Sequence, residues 1–79
     1  MLRLKIVSPE KTVYDGEVVS VVVPGTNGSF EILDHHAPII SSLEKGKVAY
    51  TTPTGTEQLD VLGGFVLVKQ NVVNLCVEV

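Results

Sequence analysis

Leu2, Leu4 and Ile6 alternate with Arg3 and Lys5, the two-residue period of a strand with one face on a core and the other in water. That pattern stops at Ser8-Pro9. A short extended piece at residues 12–14 leads to Asp15-Gly16, which reads as a break, and residues 17–23, Glu-Val-Val-Ser-Val-Val-Val, read as a strand buried on much of both faces. Pro24-Gly-Thr-Asn-Gly28 is turn-rich, because Gly and Asn tolerate the positive φ that tight turns need. Apolar stretches then recur at residues 30–33, 39–43, 47–52, 57–62, 65–68 and 72–79. They are joined by turns at Glu44-Lys45-Gly46, Pro53-Thr54-Gly55 and Lys69-Gln70-Asn71. Eight or more short strands with tight connections and no crossover helix predict antiparallel pairing. A single sheet would leave an apolar face wet, so the expected fold is all-β, an antiparallel sandwich forming one domain over residues 1–79.

Composition narrows the function. Fifteen of the 79 residues are Val, whose branched Cβ favours strands over helices. A chain of this length buries only somewhat more than half of its unfolded surface, which leaves little depth for a catalytic cleft. Six Lys and Arg against nine Asp and Glu give a net charge of −3 with no basic cluster, so nucleic acid is not an expected partner. The longest apolar runs are a few residues, far short of the roughly 20 that span a bilayer, so no direct bilayer insertion is expected. The alternating N-terminal residues do not form a signal segment, and the single Cys76 has no partner for an internal disulfide, which favours a reducing, cytoplasmic setting.

Few residues suggest chemistry. Asp34-His35-His36 carries metal-ligand types, yet neighbouring residues of an extended segment point to opposite sides and no second ligand cluster follows, so no metal site or cofactor is expected. Ser41 and Ser42 lie near a histidine and an acid without the Gly-x-Ser-x-Gly elbow of a hydrolase. Residues 24–29 lack the Gly-Lys-Ser/Thr ending of a phosphate loop. Gly63-Gly64, inside a strand pattern, reads as a bulge or a close approach of backbones. Cys76 reads as a small packing residue. The residues alone therefore describe a non-catalytic binding or structural module.

Several motifs carry a resemblance. In chain order they are Val7-Ser8-Pro9-Glu10, Tyr14-Asp15-Gly16, Gly28-x-Phe30-x-Ile32-Leu33-x-x-His36-Ala37-Pro38, Leu43-x-x-Gly46, Gly63-Gly64-Phe65-Val66-x-Val68 and Asn71-x-Val73. Together they resemble the N-terminal domain of the epsilon subunit of bacterial F-type ATP synthases, over essentially the whole chain. The resemblance implies a flattened antiparallel sandwich of about ten short strands and a non-catalytic rotor subunit of the central stalk, bound to the γ subunit and resting on the membrane ring of c subunits. It implies that Ser8, His36 and Ser41 face γ, that Asn27, Gly28, Ser29 and Phe30 face the polar loops of the c ring, and that the subunit helps couple proton translocation to ATP synthesis. It also implies a location on the cytoplasmic side of the bacterial inner membrane. Many members continue into two C-terminal helices that restrain ATP hydrolysis, and ending at Val79 the chain is expected to lack that brake. On the residues alone, a free-standing sandwich that binds a small ligand such as a sugar, and a pH-responsive or metal-binding regulator using His35 and His36, remain alternatives.

Overall fold

The computed structural model describes all 79 residues. Nine strands and no helix are present: β1 Leu2–Val7, β2 Thr12–Val18, β3 Ser20–Gly25, β4 Gly28–Leu33, β5 Ile39–Leu43, β6 Gly46–Thr52, β7 Gly55–Val61, β8 Gly63–Lys69 and β9 Val72–Glu78. Hydrogen bonding runs in the order β2-β1-β9-β8-β5 through one layer. The second layer is β4-β3-β6-β7, continuous with the first only at the bridge between Gly25 and Leu43. Alternate residues of both layers point inward, and sixteen hydrophobic side chains form one core, among them Leu2, Leu4, Ile6, Val66, Val68, Val73 and Leu75 from the first and Val21, Val23, Ile32 and Val48 from the second. Away from that bridge, Tyr14 of β2 meets Tyr50 of β6 with ring centroids 4.7 Å apart and planes at 43°, a tilted aromatic pair between the layers. The shortest dimension of the molecule is 18 Å, as two sheets about 10 Å apart with outward side chains require.

Two sequence expectations need correction. Asp15-Gly16 is not a break, because β2 continues to Val18. Opposite β1, Asp15 pairs with Lys5 and Gly16 with Leu4, and the Arg3 guanidinium donates to the Asp15 carboxylate at 2.8 and 3.1 Å. Gly16 gives room to an aromatic ring, since a Cβ there would lie 2.9 Å from the Tyr14 hydroxyl oxygen. The break falls instead at Val19, between β2 and β3, whose N–H donates to the Thr51 carbonyl at 2.7 Å. Nor is every pairing antiparallel. β1 and β9 run parallel, Arg3 opposite Val72 through Val7 opposite Cys76. The seven strands between them serve as the crossover that a parallel pair needs.

Candidate functional site

The same alternation that fills the core leaves an outward face on the β1-β9-β8-β5 layer, and much of that face is apolar. Phe65 and Leu67 of β8 are exposed, as are Ile40 of β5 and Val72 of β9. Ile40 stands opposite Leu67, and Phe65 opposite Cys76, which in turn stands opposite Val7. The result is a strip across four strands. Its lower end opens into a shallow groove of about 380 Å³ lined by Val7, Ser8, Pro9, Phe65, Cys76 and Glu78. Cys76 is thus a half-exposed wall of the strip rather than a core residue. Lys69, opposite Val72, flanks the upper end, and the ion-paired Arg3 and Asp15 flank the side, so charge rims an apolar centre.

The two glycines place Phe65 in this strip. Gly64 has φ +145°, and a Cβ on it would lie 2.1 Å from the Cys76 carbonyl oxygen, so β8 approaches β9 more closely than any side chain permits. The expected close approach is therefore present.

Each end of the layer carries a loop fixed by hydrogen bonds. At the Gly64 end is the β3–β4 hairpin, Gly25 opposite Gly28 with Thr26 and Asn27 between them. The Thr26 N–H donates to the Ser42 carbonyl at 3.1 Å, the two hydroxyls are 2.9 Å apart, and the Glu44 N–H donates to the Pro24 carbonyl at 2.9 Å. Asn27, Gly28 and Ser29 are exposed at its tip, whereas Phe30 is half-buried, packed on the core with its ring against Gly25. At the other end is the loop from Asp34 to Pro38. Its backbone is not extended as the sequence suggested: His35 has φ 63°, and the His36 N–H returns to the Leu33 carbonyl at 3.1 Å. His35 is exposed with Nε2 3.8 Å from the Asp34 carboxylate. His36 Nδ1 lies 2.7 Å from the Ala37 carbonyl. A carbonyl only accepts, so in this contact the ring nitrogen is the donor. The Asp34 carboxyl is held below its ordinary value, chiefly by a hydrogen bond from Asn71. No three His, Cys, Asp or Glu side chains converge on one point.

Of the residues expected to face γ, Ser8 and His36 lie at opposite ends of the strip, separated along β9 by about five residues, roughly 17 Å at 3.4 Å per residue. The Ser8 hydroxyl closes the β1–β2 turn with the Lys11 main chain at 3.2 and 3.3 Å. Ser41 shares the inward side of β5 with Ile39 and Leu43, and its hydroxyl donates to the Ser42 carbonyl at 3.1 Å. Ile40 and Ser42, not Ser41, point outward. Sequence reasoning missed Ile40, Phe65 and Leu67. The signal was present in Phe65-Val66-Leu67-Val68, four successive apolar residues in a strand, which mark a strand covered on both sides.

The comparisons with known proteins agree with this architecture. Residues 1–79 match the family described as ATP synthase, Delta/Epsilon chain, beta-sandwich domain. The ATP synthase epsilon chain of Leptospira borgpetersenii is 40% identical over 77 residues, 98% of this chain and 61% of that protein. That of Desulfitobacterium hafniense is 44% identical over 75 residues, 95% of this chain and 57% of that one. The chain thus spans about three-fifths of the length of these curated relatives. It spans 86% of the epsilon chain of Chlorobaculum tepidum, at 40% identity over 76 residues. Among solved structures, a chain of the Euglena gracilis mitochondrial ATP synthase superposes with a TM-score of 0.90 at 20% identity, covering 96% of this chain and 49% of that one. A chain of the central stalk and c ring of the Tetrahymena thermophila enzyme gives 0.85 at 15% identity, covering 99% and 63%. Those two likenesses concern the fold, whereas the family match and the sequence identities reach further: this chain belongs to the β-sandwich family of ATP synthase delta and epsilon chains.

Proposed function

We propose that this chain is a non-catalytic rotor subunit of the central stalk of an F-type ATP synthase, on the cytoplasmic side of a bacterial inner membrane, where it links γ to the c ring and helps couple proton translocation to ATP synthesis. The observation that carries the proposal is the apolar strip of Ile40, Phe65 and Leu67, which runs between two rigid loops on a sandwich of this family. A surface of this kind is costly to leave in water and suits a lasting protein contact.

In this reading γ covers the strip from the groove beside Ser8 to the loop of His36 and meets β5 through the outward Ile40, with Ser41 behind that contact on the inward side of the strand. The hairpin carrying Asn27, Gly28, Ser29 and Phe30 meets the polar loops of the c ring. Because both loops are already held in shape, docking forfeits less conformational entropy than ordering them would.

The test is titration of purified γ with this chain. A stable complex is expected for the wild type. Replacing both Phe65 and Leu67 by Thr, which suits a strand and whose sites already face water, should weaken it by at least about tenfold, the effect of losing a buried aromatic anchor. Failure of the wild type to bind γ would end the rotor reading. Undiminished binding by the double variant would move γ to another face.

A further inference from the structure

Asn71 joins three segments that are far apart in sequence. Its φ is 62°, and with Gln70 at 51° it forms the two-residue turn between Lys69 and Val72. Two successive positive φ values are what a tight hairpin of this twist demands. Glycine would satisfy that demand equally well. The side chain does something more. Its Oδ1 accepts from the His35 N–H at 2.7 Å, and its Nδ2 donates to the Asp34 carboxylate. Its main-chain carbonyl accepts from the Arg3 N–H at 3.0 Å, at the start of β1. One residue thus holds the loop 36 and 37 positions earlier and the edge of the neighbouring strand.

The geometry points to Asn71 as the positioning residue for the His36 loop: its carboxamide fixes the Asp34-His35 turn, and that turn presents His36 at the upper end of the apolar strip. His35 is in the left-handed region, which a non-glycine residue occupies at some cost. The Asn71 contact on its own amide offsets that cost. Next in line, the His36 N–H closes on Leu33 and the ring on Ala37, so the ring's direction is inherited from the turn that Asn71 holds. The low Asp34 pKa, with Asn71 as its first cause, agrees with a formed contact in which the carboxylate is charged. The docking role rests on the proposed contact with γ, while the clamp itself belongs to the free chain.

Asn71→Gly separates backbone from side chain, since it keeps the positive φ and removes both side-chain hydrogen bonds. This variant of the 79-residue chain should fold with the wild-type pattern of strand amide signals. Its His35 amide should exchange with solvent at least tenfold faster, the His36 ring resonances should shift, and binding to γ should weaken by about tenfold. Asn71→Asp keeps the acceptor but sets a second carboxylate against Asp34, and it should lose at least as much. Combining Asp34→Asn with Asn71→Asp exchanges donor and acceptor across the same contact and should restore His35 protection and γ binding towards wild type. Such rescue is not expected of a residue needed only for its turn. The proposal is overturned if Asn71→Gly leaves His35 exchange and the His36 spectrum unchanged, if it binds γ as tightly as wild type, or if the exchanged pair fares no better than Asn71→Asp alone. Should the wild type itself not bind γ, the rotor reading fails and the docking role with it, and the free-chain spectra still decide whether the clamp exists.

Discussion

A methyl group at Gly64 would have to occupy space 2.1 Å from the Cys76 carbonyl oxygen and 2.8 Å from the Val77 Cα, both parts of the rigid main chain of β9. Moving a strand is harder than moving a side chain, and φ +145° adds its own strain. Gly64→Ala is therefore expected to cost roughly 3 kcal/mol or more. An unchanged urea midpoint would contradict the close approach. Tyr50 offers a second residue-level prediction. Burial, then Glu57 and then Tyr14 hold its phenol above the ordinary value of 10.0, so folding favours the neutral form. Its contribution is full below pH 10 and is lost as pH rises through the folded pKa. Tyr50→Phe should therefore show a smaller fall in melting temperature between about pH 9 and 11 than wild type, whose reference phenol titrates near 10. Equal falls would remove Tyr50 as a source of alkaline instability. These two positions differed in legibility. Paired glycines inside a strand announce a backbone constraint, whereas nothing near Asn71 in sequence signals that it holds Asp34 and His35.

Elements show why local pattern succeeds in one place and fails in another. β1 was legible because Leu2, Leu4 and Ile6 alternate cleanly over a sheet buried on one side. Asp15-Gly16 was not, because Asp-Gly suits a turn and also suits a cross-strand ion pair followed by a slot for a ring, and only the position of β1 decides between them. The β3–β4 hairpin was legible as a turn but not in its docking, since the Ser42 hydroxyl that holds Thr26 comes from another strand. Gly28 leaves this hairpin with φ +121° and no neighbouring atom to obstruct a Cβ. Gly28→Ala should therefore strain the turn by about 1–3 kcal/mol without a clash. Under the proposed division of surfaces, it should weaken attachment to an isolated c ring and leave γ binding within about twofold, because the hairpin and the strip are separate contacts. Equal loss of both would mean that the hairpin belongs to a single continuous interface.

At the scale of the molecule, the absence of helices and the spacing of turns were enough for a two-layer β fold. The strand order was not readable, because β1 with β9, β5 with β8 and β3 with β6 are pairings across long stretches of chain that no local period encodes. The parallel pairing of β1 with β9 has a mechanical consequence. A pull on Met1 and Val79 draws the two neighbouring strands past each other, loading every hydrogen bond from Arg3 to Cys76 in shear. A pull on Met1 and Gln70, which lie at the same end of that pair, peels the bonds apart one after another. Bonds loaded together share the force, while bonds loaded in turn bear it singly. Under single-molecule extension the first geometry should rupture at clearly higher force than the second, and equal rupture forces would rule out the pair as the mechanical clamp. A sandwich stitched in this way resists tension along its strands, a property that would suit the torque-carrying role proposed for it.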